Sequence, residues 1–200
     1  MVATYYPIFG FSATNNSDVI EDRTEIRNNN SNAVIKEAYT WLGVVELTGN
    51  NDHPRIAESM NFCGLSGKLG YPWCTSSMAK IHYDAGVQAP HSARVVDWFT
   101  QNLIWKREWG EKMIQIKPGM VGALYYKNLG RYGHIVLIVA EDKNNYYTLE
   151  GNTNAIGSRE GEGFYKKMRS KESIAVIADY CLNGKLFEDE YNILLAKMMN

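Results

Sequence analysis

Residues 133–152 read GHIVLIVAEDKNNYYTLEGN, and this stretch decides the fold class. Ile135–Glu141 and Tyr146–Glu150 are short segments rich in β-branched or aromatic residues, with polar turn residues between them. The pattern predicts two antiparallel strands joined as a hairpin. Met120–Tyr126 and Ile174–Tyr180 have the same character, so we expect them to extend the hairpin into a small sheet.

The hairpin also predicts which polar side chains share one face of the sheet. If Asp142–Asn144 form a three-residue loop, His134 lies opposite Asn152 and has Glu150 as its diagonal neighbour. We expect His134 to open its strand beside the preceding turn, outside the packed stripe. A histidine in such a place is more often structural. A carboxylate within diagonal reach changes that balance, because it can hold the imidazole in the tautomer that a general base needs.

Helical patterns precede the predicted strands. Apolar residues at helical spacing predict a first helix over about residues 32–47. Pro54 suits the first turn of a second, shorter helix. A third helix is predicted with Cys74 near its first turn and Gly86 at its end, and Val95–Phe99 suggests a further short one. Helices followed by an antiparallel sheet predict an α+β domain.

The two ends of the chain differ from this central pattern. Residues 1–31 are rich in Asn and bury too little apolar surface to offset the entropy of ordering, so we expect a flexible arm. Residues 182–200 carry an apolar stripe at helical spacing, which predicts an amphipathic C-terminal helix. The domain that remains spans residues 32–181.

Composition favours one globular domain and excludes several classes of protein. The chain has 200 residues, of which 45% are hydrophobic, enough for a sizeable core. Its 21 basic and 22 acidic residues give a net charge of −1, which argues against a main role in binding nucleic acid or an anionic membrane. The longest apolar run, Ile135–Ala140, is far shorter than the about 20 residues of a membrane-spanning helix. Met1–Ala13 contains no Lys or Arg, so we expect no signal peptide in this chain.

Three cysteines permit at most one disulfide, so this is not a disulfide scaffold. Cys74 is the best candidate nucleophile, because unsatisfied N–H groups at a helix N-terminus favour a thiolate. Burial as a small apolar side chain is an equally good interpretation of its position alone. For Cys63 and Cys181 we expect structural burial. No paired metal-ligand spacing supports a zinc site, and we expect no metal.

Three segments together resemble the CHAP family of cysteine amidases and peptidases, within the NlpC/P60-like group of papain-type folds. They are Gly70–Cys74, Gly133–Val136 and Glu150–Asn154, and they stand in the order Cys, His, Glu, Asn that this family uses. The similarity covers about Asn32–Ile177. It implies a papain-like α+β fold in which N-terminal helices pack on a small antiparallel sheet.

The resemblance also implies a function. Members of this family are peptidoglycan hydrolases that cut an amide bond, either as N-acetylmuramoyl-L-alanine amidases or as endopeptidases of the stem peptide. By this similarity Cys74 attacks the carbonyl, His134 takes and returns the proton, Glu150 orients His134, and Asn152 gives further polar support. Two alternatives remain: an acyl-transferring, transpeptidase-like enzyme that shares the thioester, and a catalytically inactive wall-binding module.

Three residues are candidates for contacting the substrate. Trp73 stands beside the nucleophile, and Asn51 and Asp52 lie in the turn that precedes the cysteine in similar proteins. Asp52 has mainly Asn neighbours, so no strong calcium site is predicted, because calcium prefers several carboxylates. We expect a monomer without a cofactor that acts on peptidoglycan outside the cytoplasm.

Overall fold

A computed structural model describes residues 16–65, 70–110, 114–154 and 161–182, with side chains from residue 23 onwards. Within these ranges the chain forms three α-helices and one six-stranded antiparallel sheet, which confirms the α+β class. The helices are α1 (Asn16–Tyr39), α2 (Pro54–Phe62) and α3 (Cys74–Asp84). The strands are β1 (Leu103–Lys106), β2 (Val121–Tyr126), β3 (Arg131–Glu141), β4 (Asn145–Thr153), β5 (Gly163–Ser170) and β6 (Ile174–Ala178), and Val95–Phe99 is a short 3-10 helix.

The centre of the sheet is buried on both faces. Its strands lie in the order β1-β6-β2-β3-β4-β5, so the predicted hairpin of β3 and β4 is internal. Along β3, Ile135 and Leu137 belong to the apolar cluster that contains Met78 of α3. Val136 and Ile138 belong to a second cluster on the other face. This arrangement explains why β3 is a continuous apolar run instead of an alternating one.

The register of the hairpin agrees with the prediction at its far end and departs from it near the turn. Leu137 pairs with Leu149, as a three-residue loop predicts. The register shifts after Ile138, and Glu141 pairs with Tyr146, so the connection is one residue longer than predicted. An irregularity in the strand absorbs the extra residue. The predicted register therefore holds at Leu137 and Leu149, three residues along β3 from His134.

The first helix differs from its prediction at both ends. α1 begins at Asn16 and ends at Tyr39, whereas the pattern predicted about residues 32–47. The prediction of a flexible arm is therefore wrong for residues 16–31, which are helical. Residues 1–15 of that arm lie outside the described ranges.

Tertiary contacts explain why such a polar segment is ordered. Arg27 is 5% exposed, and its Nε donates a 2.7 Å hydrogen bond to Asp179 Oδ2 just after β6. Arg27 Nη2 and Ser31 Oγ both donate to the carbonyl of Pro118, at 3.0 and 2.7 Å. Asn30 Nδ2 donates to the carbonyl of Cys181. Polar side chains thus fix the helix where apolar residues are few.

Two strands were not predicted. β1 has four residues, and β5 reads GFYKKMRS, with polar or charged side chains along most of its length. β5 is an edge strand, which needs few apolar residues and so lacks the usual signal. β1 is apolar in three of its four residues, but it is too short to show a period. The predicted C-terminal helix falls almost wholly on residues 183–200, which lie outside the described part. Among the described helices, none has the length and apolar character needed to cross a bilayer.

Candidate active site

Cys74 is the first residue of α3, as predicted. Trp73 occupies the N-cap position and makes no capping hydrogen bond through its side chain. The positive end of the helix dipole therefore lies at the thiol, where it favours negative charge. The cysteine is 2% exposed, so solvent competes little with the protein groups around it.

His134 lies within β3 and is fully buried, which corrects the expectation that it opens the strand. Its Nε2 donates a 2.9 Å hydrogen bond to Glu150 Oε2, so the predicted diagonal contact is present. Nδ1 makes no hydrogen bond of normal geometry with any residue in the described ranges. The thiol of Cys74 nevertheless lies close enough that each group shifts the pKa of the other. The imidazole is thus bound to the carboxylate and lies near the thiol.

Glu150 is completely buried and accepts hydrogen bonds at both carboxylate oxygens. Arg169 of β5 donates two hydrogen bonds to it, with Nε 2.8 Å from Oε1 and Nη2 2.5 Å from Oε2. Thr148 Oγ1 donates to Oε1 at 2.5 Å. Burial opposes ionisation, but the hydrogen bonds and charges of Arg169 and His134 outweigh it and lower the pKa of Glu150 to about 2. Glu150 is an anion at any physiological pH.

The pKa values of Cys74 and His134 are shifted in opposite directions. Burial by itself lowers the pKa of His134, but its interactions with Cys74 and Glu150 outweigh burial and raise the pKa to about 9. Burial raises the pKa of the Cys74 thiol, but His134, the Thr75 hydroxyl and the backbone N–H of Ile135 outweigh it, so the net shift is downward. These opposite shifts favour transfer of the thiol proton to the imidazole, which gives a thiolate–imidazolium pair.

A cavity of about 510 Å³ is lined by residues close in sequence to Cys74 and Glu150. Its lining comes from the turn before α2, the segment leading into α3, the end of β4 and the residues before β5; the residues are Glu46, Gly49, Asn51, Gly70, Tyr71, Pro72, Asn152, Gly161 and Glu162. Asn152 is 6% exposed and has a φ of 55°, in the left-handed region that Asn tolerates. The predicted site residue Asn152 therefore borders the cavity, two residues after Glu150. That it also faces His134 stays a prediction.

The predicted substrate-contacting residues have three different positions. Asn51 lines the cavity, with its Nδ2 donating to the carbonyl of Tyr71 at 2.7 Å. Asp52 is not part of the lining; it accepts hydrogen bonds from the backbone N–H groups of Leu47 and Thr48 and so shapes the turn. Its pKa is lowered chiefly by the Thr48 hydroxyl.

The expectation that Trp73 faces the cleft is wrong. Its side chain is fully buried and is not among the residues that line the cavity. The indole Nε1 donates to Glu46 Oε1 at 2.7 Å, and Glu46 Oε2 accepts from the backbone N–H of Asn51 at 3.2 Å. Trp73 thus acts one step behind the cavity wall, because it holds the Glu46 carboxylate that supports the turn.

Gly151 allows β4 to approach α3 closely. A Cβ atom at this position would lie 2.5 Å from Ser77 Oγ and 2.7 Å from the Trp73 ring. Any larger residue would push apart the helix that carries Cys74 and the strand that carries Glu150. The glycine between Glu150 and Asn152 therefore keeps the helix and the strand at the distance the site requires.

Sequence reasoning missed Arg169 and Thr148, which both bind Glu150. Arg169 lies on β5, a strand that the sequence did not predict, and it reaches Glu150 diagonally across the sheet. Thr148 precedes Glu150 by two residues, so the alternation of a strand would have placed it on the same face. That spacing was the available signal for Thr148.

The remaining cysteines lie apart from this arrangement, and none of the three forms a disulfide. Burial raises the pKa of Cys63 to about 11 and that of Cys181 to about 12. Cys181 is buried as expected, whereas Cys63 is partly exposed. Within the described ranges no group of three or more His, Cys, Asp or Glu residues is arranged to hold a metal ion.

Comparisons with known protein families, with curated proteins and with solved structures find no match to this chain.

Proposed function

We propose that this protein is a cysteine hydrolase that cuts an amide bond of peptidoglycan, as an N-acetylmuramoyl-L-alanine amidase or a stem-peptide endopeptidase, on a papain-type NlpC/P60 fold. One observation carries the proposal: Cys74 at a helix N-terminus adjoins His134, which donates to the buried Glu150 at 2.9 Å. This is the constellation that an activated thiol nucleophile needs. The family resemblance supplies the substrate, and the α+β architecture is compatible with the proposed fold.

The reaction follows from the charges of the three groups. The Cys74 thiolate attacks the carbonyl carbon, and the backbone N–H of Cys74 is available to donate to the developing oxyanion. The His134 imidazolium gives its proton to the leaving amine, and the C–N bond breaks to leave a thioester. His134 then takes a proton from water, which attacks the thioester and releases the acid. Glu150 keeps its negative charge throughout and stabilises the imidazolium.

The cavity gives the proposed route for the substrate. Asn152 and Pro72 belong to its wall. In sequence, Asn152 is two residues from Glu150 and Pro72 is two residues from Cys74. Since Cys74 is 2% exposed, the scissile carbonyl can reach Sγ only when the groups that cover the thiol move. Peptidoglycan lies outside the cytoplasm, so the proposal includes action there.

Digestion of purified peptidoglycan tests the proposal. New amino termini are expected, and mass spectrometry of the muropeptides identifies which bond is cut. Cys74→Ala should abolish release, because no other described cysteine adjoins a histidine–carboxylate pair. Cys63→Ala is the matched control and should cut like the parent, since that thiol is half-buried and is not among the groups that shift the pKa of His134. Equal cutting by Cys74→Ala would overturn the mechanism, and sedimentation with the wall without cutting would favour a binding module.

Acyl transfer is the second candidate, and one observation favours it. Cys74, His134 and Glu150 are 2%, 0% and 0% exposed, so water has poor access to a thioester formed there. An amine held in the cavity would then compete well as the acceptor. Digestion in the presence of a labelled amine distinguishes the two reactions. Incorporation of the label into the muropeptides in excess of hydrolysis would favour transfer.

A further inference from the structure

We propose that Arg169 is a positioning residue of this site, which fixes the Glu150 carboxylate and balances its charge so that Cys74 and His134 can exist as an ion pair. The inference deepens the proposed function and rests on it only in taking Cys74 as the reacting thiol. It starts from the contact geometry of Glu150.

The contact between Arg169 and Glu150 is bidentate. Nε lies 2.8 Å from Oε1 and Nη2 lies 2.5 Å from Oε2, so the planar guanidinium fixes the plane of the carboxylate. Oε2 is also the atom to which His134 Nε2 donates. The orientation that Arg169 imposes is therefore transmitted directly to the imidazole, and through it to the thiol.

The charges of the four groups alternate along this chain of contacts. Arg169 is a cation, Glu150 an anion, imidazolium His134 a cation and thiolate Cys74 an anion, so the buried group is neutral when all are ionised. Without Arg169 the same group carries a net negative charge in a region that excludes water. Such a charge is costly to bury and disfavours a further anion at Cys74.

Other charged and titratable groups face this group from neighbouring elements. Lys167 on β5 acts on both Arg169 and Glu150, and its Nζ donates to the carbonyl of Asn154 at 2.6 Å. Tyr126 at the end of β2 acts on Arg169. Thr75 and the Ile135 N–H face the thiol. Lys167 interacts with the carboxylate at long range, whereas Arg169 touches it, so Arg169 is the residue whose removal tests the idea.

Loss of Arg169 should make the thiolate form at higher pH by either of two routes. If Glu150 stays ionised, its unbalanced charge opposes the thiolate. If Glu150 takes up a proton, His134 loses its anionic partner, and the thiol loses its imidazolium. A role limited to joining β5 to β4 would change the stability of the chain and leave the thiol titration where it is.

The experiment is a titration of the thiolate by its ultraviolet absorbance, with the curve of Cys74→Ala subtracted. Cys63 and Cys181 have pKa values of about 11 and about 12, so they contribute little near neutral pH. Arg169→Gln should move the midpoint of the thiolate curve up by about one pH unit, with a corresponding loss of thiolate around the midpoint. Arg169→Lys keeps the charge and should recover part of the loss. Lys166→Gln removes an exposed charge from the same strand and should leave the curve in place.

A second pair of variants applies if Arg169→Gln fails to fold by circular dichroism. Glu150→Gln is compared with Glu150→Gln/Arg169→Gln, in which no carboxylate is left unpaired. In that background Arg169 has no carboxylate to orient or balance, so its removal should leave thiolate formation at the same pH. The inference is overturned if folded Arg169→Gln titrates like the parent, or if loss of Arg169 still shifts the curve when residue 150 is already Gln. A shifted curve in Arg169→Gln together with a parent that cuts no peptidoglycan would retain this role for Arg169 and refute the proposed function.

Discussion

At the scale of single residues, Glu150 combines complete burial with a full negative charge. It tolerates that state because Arg169, His134 and Thr148 donate to its oxygens. An unpaired carboxylate in the same place would take up a proton. The charge of Glu150 is therefore a property of its neighbours, and it has consequences for stability as well as for the thiol.

The first prediction concerns acid stability. The pKa of Glu150 falls from 4.5 to about 2 on folding, so its ionised form contributes stability above about pH 4.5 that is lost as the pH falls through about 2. The full contribution is about 3 kcal/mol, at 1.36 kcal/mol per pKa unit. In Glu150→Gln, the free energy of unfolding should fall less steeply between these pH values, as measured by urea denaturation. Asp52 and Asp142 also have lowered pKa values, but they are present in both the parent and the variant and so do not affect the comparison. Equal dependence of the unfolding free energy on pH in the two proteins would contradict the prediction.

The second prediction concerns the pair of Cys74 and His134. Replacement of the imidazole in His134→Gln leaves burial as the main influence on the thiol, so its pKa should rise above the ordinary 9.0. The thiolate absorbance near neutral pH should fall at least about tenfold. His53→Asn is the control, because Asn also caps a helix and His53 is the N-cap of α2. A thiolate signal that survives in His134→Gln would show that the helix dipole alone ionises the cysteine.

At the scale of elements, the site depends on how closely β4 packs against α3. Glu150 and Asn152 lie on the strand, Cys74 lies on the helix, and Gly151 is the point of contact. His134 comes from β3, next to β4 in the sheet. A change that separates the helix from the sheet therefore moves the thiol away from the imidazole without touching either residue.

Gly151→Ala tests this dependence. The new methyl group meets Ser77 Oγ at 2.5 Å and the Trp73 ring at 2.7 Å, and both side chains are buried. Overpacking of this kind costs about 1–3 kcal/mol of stability. The variant should also lose thiolate absorbance near neutral pH, because Cys74 and His134 are forced apart. Met168→Ala, at an exposed position on β5, should change neither quantity, and an unaffected thiolate in Gly151→Ala would exclude the proposed spacing role.

At the scale of the whole molecule, polar contacts tie α1 to the end of the sheet. Arg27 Nε donates to Asp179 Oδ2 at 2.7 Å, and the two side chains are 6% and 1% exposed. Removal of one partner leaves a buried charge unpaired, which costs about 3–5 kcal/mol. We expect Arg27→Met to lower the free energy of unfolding by about that amount in urea denaturation. Arg27→Met/Asp179→Leu should recover much of the loss, and a double variant no more stable than the single one would contradict the charge explanation.

Local sequence was sufficient for the elements that carry the reacting groups. The apolar run of β3, the turn residues after it and the alternation along β4 predict the hairpin, and hence the contact of His134 with Glu150. The residues from Pro72 to Gly86 predict a helix with Cys74 at its start. These signals are local because side-chain periodicity follows directly from the geometry of a strand or a helix.

Tertiary structure decided what pattern and propensity do not encode. Arg169 joins the site from an edge strand with little apolar signal, and Trp73 lies behind Glu46. α1 extends before residue 32, where distant groups bind the side chains of Arg27, Asn30 and Ser31. Each of these outcomes depends on partners far away in the chain. The sequence by itself determined which segments form the hairpin and the cysteine-bearing helix. Only packing determined which charges are paired, because the energy of a buried charge depends on groups that folding brings together.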